Sequence, residues 1–145
     1  MQAYPHHYHV DASGGPQGDV ALSAEGVASL ASAPPVEFGG PGGRWSPESL
    51  LVAAVADCFV LTLRAVARAS NLPWTRVQCA VSGTLDKAGG KTRFTAFDLH
   101  VKLEVAQGAD VDKATRLLQK AEASCLITQS LSGATHLTTE IVSAG

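Results

Sequence analysis

The stretch SPESLLVAAVADCFVLTLRAVARAS, residues 46–70, decides the fold. Its opening Ser-Pro-Glu is typical of a helix start, because serine caps free N–H groups, proline suits the first helical position and an acid complements the helix dipole. Pro73 follows the stretch and cannot extend a helical hydrogen-bond ladder. The sequence therefore predicts one long helix, apolar on nearly all sides, that ends near residue 70.

This helix resembles a membrane span in length alone. Asp57, Arg64 and Arg68 interrupt it, and each charge would be costly inside a bilayer. We therefore expect the buried helix of a soluble protein and no membrane partner. Because one small sheet cannot cover a helix that is apolar on all sides, we also expect two chains to dimerise around it.

The remaining segments predict short strands and one further helix. In chain order they are a hairpin of residues 6–10 and 19–23, a loop over 31–43, a longer hairpin of 77–85 and 92–105 with a bulge near Ala96, a helix over 110–123, and a strand over 136–142. This order is typical of the α+β class, and no repeating βαβ unit demands a parallel sheet. A single domain over residues 1–145 is expected.

Composition narrows the functional classes. Hydrophobic residues make up 46% of the chain and charged residues 17%, which favours a globular protein over a disordered one. The net charge is -2 and the 11 Lys and Arg are scattered, so no nucleic-acid partner is expected. The N-terminus lacks the pattern of a secretory signal, and three cysteines in such a chain indicate a reducing, cytoplasmic location. His6, His7 and His9 cluster without a further ligand at suitable spacing, so no metal site is expected.

The cysteines differ in their surroundings. Cys79 shares a predicted strand face with Val77 and Val81, where a free thiol behaves as a small hydrophobic residue. Cys58 and Glu48 are ten residues apart, about 15 Å along a continuous helix, so they share a site only if the helix breaks or a second subunit supplies the acid. A disulfide between Cys58 and Cys125 needs α-carbons within about 7 Å, which the sequence leaves open.

Two cysteine motifs resemble signatures of the OsmC/Ohr family. WSPESLLVAAVADCF, residues 45–59, resembles P-E-x-L-L-x-A-A-x-x-x-C-F, and KAEASCLITQSL, residues 120–131, resembles A-x-x-x-C-x-[IV]-[ST]-x-[SV]-L. The resemblance implies an OsmC-like fold: an intertwined homodimer with long buried central helices wrapped by antiparallel β-sheets. It also implies active sites at the subunit interface.

The resemblance further implies a cysteine-based peroxidase that reduces organic hydroperoxides to alcohols. Cys58 would be the peroxidatic thiol, which passes through a sulfenic acid, and Cys125 the resolving thiol, which closes a disulfide with it. Glu48 would be the active-site acid. The implied reductant is an external dithiol of the lipoyl type, and no bound cofactor is expected.

The chain departs from the family at an arginine expected about ten residues before that glutamate. Phe38 stands there, and Arg44 is the first arginine in the chain. We expect Arg44 to lower the pKa of Cys58 while Glu48 holds its guanidinium by a bidentate contact.

Apolar residues near the predicted site favour a bulky organic peroxide. Phe38, Trp45 and Phe59 are the candidate substrate contacts, with Phe38 and Trp45 as a lid. Two other functions stay open: a redox-responsive binding or regulatory protein with little or no turnover, and a small-ligand module in which the cysteines only pack.

Overall fold

The structure is a computed structural model that describes residues 1–144. The chain forms two compact units, an N-terminal unit over Met1–Leu50 and a C-terminal unit from Leu51 onward. The single domain expected over residues 1–145 stays a prediction. Helices and strands occur together, which confirms the α+β class.

The N-terminal unit contains an antiparallel sheet of three short strands, β1 (Asp11–Ser13), β2 (Val20–Ser23) and β3 (Leu30–Ser32). The predicted hairpin exists, but its first strand was wrongly placed at residues 6–10. The glycine-rich segment 14–18 forms the connection, so the residues directly before it are the ones that pair with β2. The sequence predicts a loop over 31–43, but β3 occupies the first residues of that segment, so the prediction was wrong there. A 3-10 turn forms further along the segment, at Val36–Phe38.

Helix α1 (Pro47–Ala69) confirms the predicted long helix and both of its ends. Ser46 and Ser49 cap it reciprocally: the Ser49 N–H donates to Ser46 Oγ at 3.1 Å, and the Ser46 N–H donates to Ser49 Oγ at 2.9 Å. Asn71 has a left-handed φ of 54°, a backbone conformation that ends helices. Local signals alone therefore fix this element.

The C-terminal unit contains a second sheet, in the order β4 (Trp74–Ala88), β5 (Lys91–Val105) and β6 (Ala134–Ser143). Strands β4 and β5 pair antiparallel, as predicted. Thr84 pairs with Ala96 but Leu85 pairs with Phe94, so one residue of β5 is left over beside Ala96. This extra residue is the predicted bulge.

Helix α2 (Val111–Ser124) and the short helix α3 (Leu126–Gln129) connect β5 to β6. The side chain of Asp110 caps α2 by accepting from the Lys113 N–H at 3.0 Å. Strand β6 pairs with β5 in parallel, so the expectation of purely antiparallel sheets was wrong. A helical crossover between two adjacent strands returns the chain in the same direction, which gives a parallel pair.

The core of the C-terminal unit is built from one face of each element. Helix α1 contributes positions four residues apart and β5 contributes alternate positions, the periods of a helix and a strand. The buried residues of α1, β5 and α2 are Val55, Phe59, Leu63, Ala67, Phe97, Leu99, Val101, Leu103, Val105, Ala114, Leu117, Leu118 and Ala121.

Among residues 1–144, the fully buried residues of α1 form this one stripe, although the helix is apolar on most sides. Leu51, Val52 and Val66 are partly buried against the core. By length and composition α1 could also cross a membrane. Within this chain, 22% of its most apolar window is buried, and those buried residues belong to the core of the C-terminal unit. Leu61, on another side of the helix, is 51% exposed. Within residues 1–144, part of the apolar surface of α1 thus stays exposed.

Candidate active site

The site forms where α2 ends and α3 begins. Cys125 lies at this junction and is 1% exposed. Its backbone N–H donates to the Glu122 carbonyl at 3.3 Å, and its carbonyl accepts from the Gln129 N–H at 3.1 Å. Cys125 therefore ends one helix and begins the next. The first N–H groups of α3 have no partner within that helix, as at every helix start.

Cys58 of α1 faces this junction. The Cys125 thiol and the backbone N–H groups of Ile127 and Leu126, the first two residues of α3, lie near enough to the Cys58 sulfur to lower its pKa. The hydroxyl Oγ1 of Thr62, one helical turn further along α1, lies 3.8 Å from Cys58 Sγ. The structure therefore brings together Cys58 and Cys125, which are 67 positions apart in the sequence.

The two thiols differ in acidity. Burial raises the pKa of Cys58 and is the largest single influence, but the surrounding thiol, amide and hydroxyl groups together outweigh it and hold that pKa below the ordinary thiol value. Burial raises the pKa of Cys125, and its interaction with Cys58 raises it further. The arrangement thus favours a thiolate at Cys58 and a protonated thiol at Cys125, and a thiolate is the nucleophilic form.

Cys79 behaves as the sequence predicts. It lies on β4, half-buried against the core of the C-terminal unit. Burial, with a smaller contribution from Cys125, raises its pKa to about 11, which keeps it a neutral thiol near neutral pH. A packing residue fits this environment better than a nucleophile does.

The two charged residues of the predicted site, Arg44 and Glu48, belong to the N-terminal unit. The Nε of Arg44 donates to Asp19 Oδ2 at 2.9 Å, and its Nη1 donates to the Gly43 carbonyl at 3.2 Å. The hydrogen bond and the charge of Asp19 raise the pKa of Arg44 further. The predicted bidentate contact between Arg44 and Glu48 was therefore wrong for this chain, because Asp19, directly before β2, supplies the carboxylate instead.

Helix α1 is continuous from Pro47 to Ala69, so the ten residues from Glu48 to Cys58 correspond to about 15 Å of helical rise. The option of a broken helix is thereby removed. Within residues 1–144, Glu48 Oε1 is a buried atom without a hydrogen-bond partner. A buried carboxylate oxygen is costly unless something pairs with it.

The predicted substrate contacts fall into two groups. Phe59 is fully buried in the core of the C-terminal unit, so its assignment as a substrate contact was wrong: it lies on the stripe of α1 that packs against the sheet. Phe38 is 60% exposed and Trp45 is 47% exposed, both in the N-terminal unit. These two remain available to a ligand or to a second chain.

The sequence did not predict that backbone N–H groups of α3 lie near Cys58, nor that the Thr62 hydroxyl contacts its sulfur. The amides carry no side-chain signal, and α3 is too short to give a periodic pattern. The spacing of Cys58 and Thr62 could have indicated the second contact, because residues four apart lie on one helix face.

Comparison with known proteins assigns the chain to a family. The family model described as OsmC-like protein matches residues 40–140. The chain belongs to this family, which confirms the resemblance seen in the sequence.

Two relatives and one solved structure illustrate the similarity. The uncharacterized protein YmaD of Bacillus subtilis (strain 168) is 29% identical over 140 residues, 93% of each chain. The uncharacterized protein ACIAD3023 of Acinetobacter baylyi is 32% identical over 120 residues, 81% of this chain and 79% of that protein. The crystal structure of an organic hydroperoxide resistance protein OsmC from Legionella pneumophila is 26% identical, has a TM-score of 0.74, and covers 96% of this chain and 98% of its own.

Proposed function

We propose that this protein is a thiol peroxidase that reduces organic hydroperoxides to alcohols through Cys58 and Cys125. One observation carries the proposal: the fold brings Cys58 near Cys125 at the junction of α2 and α3, and there the pKa of Cys58 is lowered and the pKa of Cys125 is raised. That pairing is what a two-cysteine peroxidase requires, since one sulfur must attack as a thiolate and the other must wait as a thiol. The name of the Legionella pneumophila relative supports an organic substrate.

The reaction proceeds in two steps. The Cys58 thiolate attacks one oxygen of the peroxide, the O–O bond breaks, and the other oxygen leaves and takes up a proton to give the alcohol. Cys58 is then a sulfenic acid, and the Cys125 sulfur attacks it to form a disulfide and release water. An external dithiol, for which a lipoyl-type compound is our candidate, supplies two electrons and restores both thiols.

We further propose that the working form is a cytoplasmic homodimer built around α1. The exposed side of this helix, where Leu61 lies, gives a second copy an apolar surface to cover. The unpartnered buried oxygen of Glu48 supports the same conclusion, because a second chain would provide the missing donor. In the dimer, Glu48 and Arg44 of one chain would act at Cys58 of the other, with Phe38 and Trp45 beside the peroxide.

Peroxide consumption tests the proposal. Reduced protein is mixed with cumene hydroperoxide or with hydrogen peroxide, and peroxide and free thiols are followed together. We expect two thiols to be lost per organic peroxide, with a slower reaction for hydrogen peroxide. Cys58→Ser should abolish the reaction, Cys125→Ser should stop at the sulfenic acid, and Cys79→Ser serves as the matched control that reacts normally. Equal consumption by Cys58→Ser and the unaltered protein would refute the proposal.

A redox-responsive regulatory protein is the second candidate, favoured by the pairing of Arg44 with Asp19. With its guanidinium held there, Arg44 would give Cys58 less help with the peroxide, and oxidation would be slow. The two functions differ in turnover when a dithiol is present. A peroxidase consumes many equivalents of organic peroxide per protein, whereas a regulator consumes about one and stops in the disulfide form.

A further inference from the structure

The threonines in the helices differ in what their hydroxyl groups contact. Thr115 of α2 donates to the Val111 carbonyl at 3.1 Å, and Thr128 of α3 donates to the Cys125 carbonyl at 3.1 Å. Such backbone contacts are what helical threonines commonly make. In the part of the chain that the structure describes, the hydrogen-bond contact of the Thr62 hydroxyl is instead the sulfur of Cys58, at 3.8 Å.

The chemistry of this contact depends on the protonation of the sulfur. When Cys58 is a thiol, either group can be the donor. When Cys58 is a thiolate, the sulfur can only accept, so the Thr62 hydroxyl must donate to it. A hydrogen bond to a charged acceptor is stronger than one to a neutral group, so the contact favours the thiolate over the thiol.

The surroundings of the Thr62–Cys58 contact also suit the stabilisation of a thiolate. Thr62 is partly buried, and both residues lie on one face of α1, one turn apart, so the helix itself fixes their separation. The titratable group that faces Cys58 from the α2–α3 junction is Cys125, and Asp57 beside it on α1 is exposed. The backbone N–H groups of Leu126 and Ile127 and the neutral hydroxyl of Thr62 are groups of this chain that can stabilise a negative sulfur.

We propose that Thr62 is a thiolate-stabilising residue of Cys58, which increases the fraction of reactive thiolate. The kinetic consequence rests on the proposed peroxidase function. The effect on thiolate formation does not, because it can be measured without any peroxide.

The test is the pH dependence of alkylation at Cys58. Iodoacetamide reacts with thiolates, and mass spectrometry of the digested protein reports Cys58 separately from the other two cysteines. Three variants are compared with the unaltered protein: Thr62→Val, which keeps the shape and removes the hydroxyl; Thr62→Ser, which keeps the hydroxyl; and Thr115→Val, a matched helical Thr→Val control whose hydroxyl contacts the Val111 carbonyl.

We expect Thr62→Val to move the alkylation midpoint of Cys58 upward by about one pH unit, which is about a tenfold loss of thiolate near neutral pH. Thr62→Ser should restore most of the reactivity, and Thr115→Val should leave it unchanged. A midpoint in Thr62→Val equal to that in Thr115→Val would overturn the inference, as would a Thr62→Ser variant that behaves like Thr62→Val.

Folding and function are controlled separately. Circular dichroism confirms that each variant is folded, and Thr62→Ala replaces Thr62→Val if the latter does not fold, with the same expected shift. If the unaltered protein fails to consume peroxide but the midpoint still moves in Thr62→Val, the proposed function is wrong and the role of Thr62 stands. If peroxide is consumed and the midpoint does not move, the role of Thr62 is wrong and the proposed function stands.

Discussion

Gly83 of β4 is the position where the packing of α1 on its sheet is most easily tested. A Cβ added there would lie 2.8 Å from Val52 Cγ2 on α1 and 3.0 Å from Phe94 Cε1 on β5. Neither neighbour moves away easily, because valine has one strongly preferred rotamer in a helix and the Phe94 ring stacks on Phe97 with centroids 5.4 Å apart. Gly83→Ala should therefore overpack the C-terminal unit.

The magnitude follows from two opposing effects. Overpacking costs about 1–3 kcal/mol, and replacing glycine removes freedom from the unfolded chain, which returns about 0.4–1 kcal/mol. We expect a net loss of about 1–2 kcal/mol in the free energy of unfolding. Urea denaturation measures it, at one fixed protein concentration so that any subunit association contributes equally.

Two further variants make the result interpretable. Gly15→Ala is the matched control, because a Cβ there meets nothing within 4 Å and its φ is not positive, so stability should stay equal or rise slightly. Val52→Ala should reduce the penalty of Gly83→Ala in a double-mutant cycle, since it vacates the space that the new methyl needs. A Gly83→Ala protein as stable as the Gly15→Ala control would refute the packing described here.

Three other predictions address the site and its supports. Cys58 should alkylate with a midpoint below that of an ordinary thiol and Cys125 above it, because the pKa of the first is lowered and that of the second raised; a reversed order in peptide mass spectrometry would contradict the assignment. Phe59→Ala should lose about 3–5 kcal/mol of stability in denaturant titrations, as a core residue does, and an unchanged midpoint would return Phe59 to the substrate contacts. Asp110→Ala should lose about 1 kcal/mol in the same titration through the lost cap on the Lys113 N–H, and an Asp110→Ala protein as stable as the unaltered one would contradict the role of this cap.

Much of the fold could be predicted because its signals are local. The Ser46 cap and the left-handed Asn71 mark the two ends of α1 within a few residues of chain. The period of two along β5 and the Asp110 cap of α2 are equally local. In each case a residue and its immediate neighbours determine the backbone, so the sequence alone carries the information.

The direction of β6, the partner of Arg44 and the surroundings of Cys58 could not be predicted because distant segments meet there. The parallel pairing of β6 with β5 depends on the crossover through α2, and the partner of Arg44 is Asp19, 25 residues earlier. The backbone N–H groups of α3 that face Cys58 leave no trace in residue type. Such contacts follow from tertiary packing, which neither periodicity nor spacing records.

The central claim is that Cys58 and Cys125 form one redox couple, and the most direct measurement is the disulfide made by a single turnover. Reduced protein receives one equivalent of cumene hydroperoxide, remaining thiols are blocked, and the digest is mapped by mass spectrometry. The account predicts a Cys58–Cys125 linkage with Cys79 recovered as a blocked free thiol. A linkage through Cys79, or three unmodified thiols, would contradict it.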